Sequence, residues 1–292
     1  MISNEGRMVK EFIRKNSNNN CSYEEQRKNT INMKSVIKFP HDVQVKNINA
    51  NGVDCELFIP KSLNDNKIIM YFHGGGYVIG IGNNTRSFAA KIANESSNKV
   101  LLIDYRLAPE NPYPCAHEDV LSVYNWVLNQ GVNSSDIVLM GDSSGCGLLL
   151  ALILKIKESK ISMPAAGVLI SPLVDYSKSA ESLRTKKDVD PYNYDDPFSV
   201  VNNFLLDNDV MNPYISPIYG GLTNFPKMLI HASECDVFFS DSINLSRKLT
   251  EHGVDVSLKI WEDMWHVFHV SPEIVPESRM ALDEIYDFIN NI

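Results

Sequence analysis

Residues 137–157 read IVLMGDSSGCGLLLALILKIK, and this stretch decides the fold. Its first four residues, Ile137–Met140, predict a buried strand, and the apolar run from Cys146 to Lys157 predicts a helix. Between them lies a Gly-x-Ser-x-Gly pattern centred on Ser143. A sharp turn from strand to helix tolerates only small residues around its centre, so it would present Ser143 at the end of a sheet as a candidate nucleophile. The alternative is an ordinary turn serine.

The alternation of apolar runs and helical patterns continues on both sides of this stretch. Short apolar runs predict five further buried strands: Ile68–Phe72, Val100–Asp104, Gly167–Ser171, Met228–His231 and Val256–Trp261. Helical spacing occurs in a segment with Val120, Val123, Tyr124, Val127 and Leu128, from Asp241 as an N-cap to Gly253, and over Glu277–Ile289. Residues 42–49 and 53–59 alternate around Asn51-Gly52 and predict an antiparallel edge hairpin. The sequence thus predicts an α/β fold with a mostly parallel eight-stranded sheet flanked by helices.

Two segments fall outside this alternation. In residues 1–35, the spacing of Met8, Phe12 and Ile13 predicts a short amphipathic helix. Residues 176–215 contain a charged start, aromatic residues and prolines, and no convincing strand. A connection of this length is typical of a lid or binding insertion, against which we expect the N-terminal segment to pack. We expect a single domain over residues 1–292 that includes both segments.

Composition and charge argue against several classes of protein. The 292 residues include 27 Lys and Arg against 36 Asp and Glu, and the net charge of −9 argues against nucleic-acid binding. The longest apolar run, Cys146–Leu154, is too short for membrane insertion. Five scattered cysteines without a CxxC pair or zinc-finger spacing indicate neither a disulfide framework nor a metal site. The N-terminal residues lack the pattern of a secretory signal, so a cytoplasmic location is expected.

A glycine-rich loop directly follows the predicted strand Ile68–Phe72 and reads HGGG at residues 73–76. Glycines allow the backbone to turn its N–H groups into an open pocket. Such amides stabilise the oxyanion formed when an ester carbonyl is attacked, together with the amide of the residue after the nucleophile, here Ser144. Glycine-rich loops also bind phosphates. However, no Gly-Lys-Ser/Thr follows, and the pattern fits neither a P-loop nor a dinucleotide fingerprint.

A serine nucleophile needs a base and an orienting acid. Two of the seven histidines, His266 and His269, follow the last predicted strand, where a loop can return over the nucleophile. His266 is the preferred base and His269 the alternative. The acid is expected between serine and base in the chain. Asp236, which follows the penultimate predicted strand, is preferred over Glu234, close to the strand end, and Asp241, which has the position of a helix cap.

Three motifs together resemble the hormone-sensitive-lipase-like (GDXG) serine esterases of the α/β-hydrolase fold. They are HGGGY at residues 73–77, DYRLAPE at 104–110 and GDSSG at 141–145. The similarity covers residues from about 40 to 292 and continues through Ser171-Pro172, Ser216-Pro217, Pro226, Asp236 and His266. This resemblance implies a triad of Ser143, Asp236 and His266. It also implies an oxyanion hole formed by Gly74, Gly75 and Ser144, with Gly76 as a further candidate.

The same resemblance carries three further implications, and the chain also departs from the family in two places. Arg106 and Glu110 of the second motif are implied to form a buried structural pair. Residues 1–35 and 176–215 are implied to form a helical cap, and a homodimer through the last strand and the C-terminal helix is a family-level expectation. The chain departs from the family at residues 144–146, where Ser-Gly-Cys replaces the usual Ala-Gly-Gly. It also has Ser240, followed by Asp241, where the family tends to place an acid four residues after the catalytic one.

The resemblance and the motifs predict a serine carboxylic-ester hydrolase of the carboxylesterase or lipase-like class. Its expected substrates are small-molecule esters with short- to medium-chain acyl groups, and no metal or organic cofactor is expected. Aromatic residues are expected to wall an apolar pocket, with packing inside the cap as their alternative role: Tyr77, Tyr192, Tyr194, Phe198 and Phe204. Two other functions stay open. One is an amidase, deacetylase or lactonase with the same triad, and the other is a non-catalytic small-molecule-binding protein.

Overall fold

The structure is a computed structural model that describes residues 2–17, 21–63 and 67–292. The strands are β1 (Val43–Ala50), β2 (Val53–Pro60), β3 (Ile68–Phe72), β4 (Lys99–Ile103), β5 (Ile137–Asp142), β6 (Ala166–Ile170), β7 (Lys227–Ser233) and β8 (Val256–Trp261). The helices are α1 (Asn4–Asn16), α2 (Tyr23–Asn32), α3 (Asn83–Ser96), α4 (Cys115–Asn129), α5 (Ser144–Glu158), α6 (Ser182–Thr185), α7 (Asn202–Leu205), α8 (Phe239–Glu251) and α9 (Pro276–Asn290). Within the described ranges, no helix combines the length and apolarity needed to cross a bilayer.

All eight strands form one sheet in the order β1-β2-β4-β3-β5-β6-β7-β8. β2 pairs antiparallel with both β1 and β4, and every other neighbouring pair is parallel. The prediction of a mostly parallel eight-stranded sheet with an antiparallel edge hairpin is therefore confirmed. Predicted strand bounds differ from the observed ones by at most two residues. The sequence analysis did not identify α2 and α3.

Helices cover both faces of the sheet and create two apolar layers. One layer includes Val123 of α4, Leu149 of α5 and Leu245 of α8. The opposite layer includes Phe88 of α3 and Ile285 of α9. All five side chains are fully buried, and burying each contributes about 1.5–3 kcal/mol. Because both faces are covered, the central parallel strands consist mainly of apolar residues, which explains why they appear in the sequence as continuous apolar runs.

The parallel strands bring four separate loops to one edge of the sheet. The glycine loop follows β3, the Ser143 turn follows β5, and Asp236 and His266 follow β7 and β8. β3 and β5 are direct neighbours, with Phe72 opposite Gly141, so the glycine loop lies beside the serine turn. The chain order reverses between these two strands. Open α/β sheets bind ligands beyond the carboxyl ends of the strands at such a point.

The N-terminal segment and the insertion (residues 176–215) contact each other. Arg14 of α1 donates hydrogen bonds to the carbonyls of Asp188 and Val189 at 3.3 and 3.1 Å. The helix predicted around Met8 and Phe12 is present as α1, but these two side chains are 63% and 65% exposed. Neighbouring residues of α1 pack on an apolar cluster around Trp265 instead: Val9 and Ile13.

The predicted pair of Arg106 and Glu110 is wrong. The Arg106 guanidinium binds the carboxylates of Asp119, at 2.7 Å, and Glu118, at 3.1 Å, both on α4. Glu110 is half exposed and pairs with Arg27 of α2 at 2.7 Å. Both residues of the predicted pair therefore bind partners from outside the motif, Arg106 on α4 and Glu110 on α2.

Asp241 is not the N-cap of α8, as the sequence predicted. The helix begins at Phe239, so Asp241 lies in its first turn. The buried Asp241 carboxylate instead accepts hydrogen bonds from the amides of Val174 and Asp175 at 2.8 and 3.0 Å. Burial raises the pKa of Asp241 to about 8. This carboxyl therefore fixes the loop that follows β6.

Candidate active site

Ser143 occupies a strained turn between β5 and α5. Its backbone has φ 52° and ψ −125°, in the left-handed half of conformational space, which L-residues rarely adopt. Gly145 has to be glycine because a Cβ there would collide with the carbonyl oxygen of Phe72. The bulkier Cys146 is accommodated because its buried thiol donates a hydrogen bond to the Gly141 carbonyl at 3.1 Å. Backbone strain at a sheet edge is typical of functional sites.

A line of hydrogen bonds connects the side chains of Ser143, His266 and Asp236. His266 Nε2 lies 2.9 Å from Ser143 Oγ, and His266 Nδ1 lies 2.7 Å from Asp236 Oδ2. The other carboxylate oxygen, Oδ1, accepts a hydrogen bond from the Phe238 amide at 2.8 Å. The three side chains come from loops after β5, β7 and β8. The structure thus brings together the three residues that the sequence selected.

The alternative base and acids occupy other places. His269 is fully buried, with its Nε2 3.0 Å from His231 Nδ1. Glu234 accepts a hydrogen bond from the Asp263 amide at 3.1 Å and lies near Lys186. Asp241 binds the loop after β6, as described above. In each case the side chain bonds to a structural partner rather than to His266 or Ser143.

Opposing effects set the protonation of His266. Burial lowers the pKa of this histidine, whereas the charge and hydrogen bond of Asp236, followed by the charges of Asp190 and Asp142, raise it. The net result is a pKa above the ordinary value of 6.5. A carboxylate on the Nδ1 side favours the tautomer in which Nδ1 carries the proton. Nε2 of the neutral ring is then free to accept the proton of Ser143.

The glycine loop is held from both sides by buried polar groups. Tyr105 donates a hydrogen bond of 2.7 Å to the His73 carbonyl and stacks on the His73 ring at 4.3 Å. On the other side, the amide of Gly74 interacts with the carboxylate of Asp142, which also accepts a 2.6 Å hydrogen bond from Tyr71. These contacts fix the loop next to Ser143.

The amides of the glycine loop have different surroundings. The Gly74 amide lies beside the buried carboxylate of Asp142. Gly75 and Gly76 line the cleft beside Ser143. The Gly76 amide donates a 2.9 Å hydrogen bond to the hydroxyl of Ser144. The oxyanion hole of Gly74, Gly75 and Ser144, with Gly76 as a further candidate, stays a prediction.

A cleft of about 450 Å³ opens above Ser143 and His266. Its walls come from the glycine loop, the loops after β6 and β7, the insertion and α2: Gln26, Ile79, Leu173, Tyr192, Tyr194, Pro197, Val200, Val201, Phe238 and Val267. A Cβ on Gly76 would lie 3.2 Å from a methyl group of Val201, so the insertion closes directly over the glycine loop. The cleft is narrow and mainly apolar.

Of the five aromatic residues expected to wall the pocket, two line the cleft and three do not. Tyr192 and Tyr194 are among its lining residues. Tyr77 stacks on Phe204 at 3.9 Å, and Phe198 packs edge-on against Phe238 at 5.7 Å. Tyr77, Phe198 and Phe204 are at most 2% exposed. These three rings therefore attach the insertion to the hydrolase core, which was the alternative role of each.

Sequence reasoning missed three residues of this site. Asp142 lies inside the Gly-x-Ser-x-Gly pattern, and its position next to Ser143 could have identified it as a residue of the site. Asp190 lies in the insertion, and only its Asp-Pro turn sequence marks it. Gln26 reaches the cleft from α2 without any motif around it. Among the described residues, no group of three or more His, Cys, Asp or Glu side chains is arranged to hold a metal ion.

Comparisons with known proteins agree with this geometry. The sequence profile of the alpha/beta hydrolase fold matches residues 69–270. An esterase of Acinetobacter venetianus is 31% identical over 258 residues, covering 87% of this chain and 85% of its own. An acetyl-hydrolase of Streptomyces hygroscopicus is 31% identical over 220 residues, which cover 75% of this chain and 74% of that protein.

Similarity in three dimensions extends over the whole chain. The crystal structure of an esterase from the bacterial hormone-sensitive lipase family superimposes with a TM-score of 0.92 at 31% identity. The superposition covers 100% of this chain and 99% of the other. The chain therefore belongs to the α/β-hydrolase fold family, where it is one of the hormone-sensitive-lipase-like esterases, hydrolases of the carboxylesterase class.

Proposed function

We propose that the protein hydrolyses small carboxylic esters with Ser143 as nucleophile, His266 as general base and Asp236 as orienting acid. The observation that supports this most directly is the unbroken hydrogen-bonded line from Asp236 through His266 to Ser143 at the floor of an open cleft. In serine hydrolases this arrangement activates the hydroxyl without a metal or an organic cofactor.

The proposed reaction proceeds through an acyl-enzyme. Neutral His266 takes the proton of Ser143 at Nε2 while Ser143 Oγ bonds to the ester carbonyl carbon. The negative oxygen is stabilised by the backbone amides of Gly74, Gly75 and Ser144. Gly76 is a further candidate, which contributes by exchanging its bond to the Ser144 hydroxyl for one to this oxygen. Protonated His266 then gives its proton to the departing alcohol. A water molecule, deprotonated by His266, releases the acid and restores Ser143.

The shape of the cleft favours short- to medium-chain acyl groups. Val200 and Val201 of the insertion lie directly over the glycine loop, and Leu173 and Phe238 limit the space beside Ser143. The S. hygroscopicus relative is named for an acetyl group, which supports a short acyl chain. Tyr194 at the cleft wall adds an aromatic surface for the alcohol part of a substrate.

We propose that the N-terminal segment and the insertion together form a two-part cap within a single domain. Arg14 binds the carbonyls of Asp188 and Val189, and Asn193 donates back to the Arg14 carbonyl at 3.3 Å. Both parts contribute to the cleft, through Gln26 and Tyr194. A cap that covers an active site excludes water and shapes the substrate pocket.

We also propose that the chain forms a homodimer through β8. This strand is the last of the sheet, and its Leu258 and Ile260 side chains are 36% and 43% exposed. Apolar side chains on an uncovered edge strand favour pairing with another edge. Light scattering on the purified protein tests this proposal, with a dimer mass expected and a monomer mass at micromolar concentration contradicting it.

A p-nitrophenyl ester series tests the proposed activity and its chain-length preference together. We expect kcat/KM to be highest for acyl chains of about two to six carbons and to fall for longer ones, because Val200 and Val201 line the cleft over the glycine loop and limit its length. Ser143→Ala is expected to lower kcat by several orders of magnitude. A preference for twelve or more carbons would contradict the chain-length proposal, and full activity of Ser143→Ala would contradict the mechanism.

A further inference from the structure

The side chain of Asp190, in the insertion, is hydrogen-bonded to the residue that directly follows Asp236. Its side chain is fully buried. Oδ2 accepts a hydrogen bond of 3.0 Å from the amide of Val237, the residue that follows Asp236, and Oδ1 accepts one of 2.9 Å from the amide of Tyr192. One carboxylate therefore joins the acid loop after β7 to the part of the insertion that lines the cleft.

A second residue of the insertion, Ser182, binds the backbone carbonyl of the same residue, Val237. The Ser182 hydroxyl donates a 2.7 Å hydrogen bond to the Val237 carbonyl and accepts one of 2.9 Å from the Ser240 amide. Both the N–H and the C=O of Val237 are thus bound by the insertion. Because Asp236 precedes Val237 directly, these bonds restrict where the Asp236 carboxylate can lie.

The charge of Asp190 is costly in this position, which argues against a purely structural role. Burial and the neighbouring charge of Asp236 raise the pKa of Asp190 to about 6, although the amides of Tyr192 and Val237 act in the opposite direction. A serine or asparagine would accept a hydrogen bond without the cost of burying a second anion. Unlike these neutral groups, the carboxylate of Asp190 attracts a protonated His266.

Three acids are the main charges that raise the pKa of His266. They are Asp236, Asp190 and Asp142, and the charge of His266 in turn lowers the pKa of His269. Asp236 bonds the ring directly, whereas Asp142 is engaged by Tyr71 and the Gly74 amide. Asp190 is therefore the only one of these acids contributed by the insertion.

We propose that Asp190 is a positioning residue of the triad, which fixes Asp236 through the Val237 amide and adds a second negative charge that stabilises His266 when its ring is protonated. This inference rests on the proposed function, in which His266 carries a proton during each of the two steps. It also makes the insertion part of the catalytic apparatus: Asp190 links the cap to the acid, and Tyr192 links the same carboxylate to the cleft.

The pH profile of Asp190→Asn tests the electrostatic part of the proposal, which is the stabilisation of protonated His266 by the charge of Asp190. With p-nitrophenyl butyrate, we expect the acid limb of kcat/KM to move to lower pH by about one unit, because His266 loses one of its stabilising charges. We expect kcat at the plateau to fall about tenfold, with KM nearly unchanged. Asp188→Asn is the matched control, since it removes a charge from an exposed position of the same segment and is expected to keep the wild-type profile.

The same experiment has clear contradicting outcomes. A folded Asp190→Asn with the wild-type acid limb overturns the inference, even if its Tm is lower, because a purely structural role would give that result. If Asp190→Asn does not fold, Asp190→Ser decides, since it removes the same charge and keeps a hydroxyl that can accept a hydrogen bond from an amide. We again expect the acid limb to move to lower pH, and the wild-type acid limb overturns the inference. Failure of the wild-type protein to hydrolyse any ester would instead contradict the proposed function, and with it this inference.

Discussion

The backbone amide of Gly76 donates a 2.9 Å hydrogen bond to the hydroxyl of Ser144. Ser144 is fully buried, directly follows Ser143 and begins α5. In the family that the chain resembles, this position usually holds alanine, which has no hydroxyl to occupy the Gly76 amide. The Ser144 hydroxyl thus occupies the amide of a residue that we predict as a further candidate for the oxyanion hole.

Ser144→Ala separates the roles of the two adjacent serines. The backbone amide of residue 144 survives the substitution, and the Gly76 amide is released towards the cleft. We expect kcat/KM for a short ester to stay within about tenfold of wild type, whereas Ser143→Ala loses several orders of magnitude. Steady-state kinetics of both variants check this. Equal loss in the two variants would contradict the assignment of Ser143 as the nucleophile.

Tyr194 and Phe198 are expected to respond in opposite ways to truncation. Tyr194 lines the cleft, so Tyr194→Ala should raise KM for p-nitrophenyl butyrate severalfold with a small change in Tm. Phe198 is buried against Tyr176 and Phe238, so Phe198→Ala should lower the free energy of unfolding by about 3–5 kcal/mol. Kinetics and urea unfolding of both variants test this pair. The reverse pattern would show that the ring of Phe198, rather than that of Tyr194, faces the substrate.

Arg27 attaches α2 to the segment that follows the glycine loop. Its guanidinium donates to the carbonyls of Val78 and Ala108 at 2.7 and 2.6 Å and forms a bidentate pair with Glu110. Arg27→Ala should lower kcat/KM about tenfold, because two buried carbonyls lose their donor and the loop loses its restraint. The control is Lys28→Ala, a substitution at the exposed position next to Arg27 in α2, which is expected to keep the wild-type kcat/KM.

Glu110→Gln is expected to have a smaller effect than Arg27→Ala. The Glu110 side chain is 56% exposed, and an ion pair this accessible contributes about 1 kcal/mol or less. The carbonyl contacts of Arg27 remain in this variant. If Glu110→Gln impaired kcat/KM as strongly as Arg27→Ala, the ion pair rather than the carbonyl contacts would be the restraint.

Acid is expected to destabilise the fold through buried neutral histidines. Burial lowers the pKa of His73 and His117 to about 4 and that of His231 to about 3. The unfolded chain takes up these protons near pH 6.5 and the folded chain does not, so stability is lost as pH falls from 6.5 towards 4. The expected loss is about 1.4 kcal/mol per pH unit for each histidine in that window.

Thermal unfolding between pH 7.5 and 5 measures this loss. His231→Asn should flatten the dependence of Tm on pH, because the folded state then lacks one of the groups that resist protonation. The exposed His252→Gln should leave the slope as in wild type. A Tm that is constant over this range would contradict the neutral state of the buried histidines.

The sequence could predict the fold because its main signals are local. Ile137–Met140, the turn at Ser143 and the apolar run from Cys146 are consecutive, and their pattern needs no information about distant residues. The repeated alternation of strands and helices then requires a parallel sheet, whose carboxyl edge collects the loops that bear Ser143, Asp236 and His266.

What the sequence could not predict depends on contacts between distant segments. Tyr77 stacks on Phe204, more than a hundred residues along the chain, and that contact removes both rings from the cleft. Glu110 pairs with Arg27 of α2 instead of its predicted partner Arg106. The hydrophobic periodicity of the sequence does not predict such contacts, because they form between distant segments only when the sheet and the insertion pack together.

Covalent labelling with a fluorophosphonate tests the central claim most directly. The wild-type protein is incubated with the probe, digested, and its peptides are analysed by mass spectrometry, with Ser143→Ala and Ser144→Ala treated in parallel. We expect one phosphonylated residue, Ser143, in the wild type and in Ser144→Ala, and no adduct in Ser143→Ala, because Ser143 is the one serine hydrogen-bonded to His266 in the described part of the chain. Labelling of Ser143→Ala at the wild-type rate, or an adduct at any other residue, would contradict the proposed catalytic site.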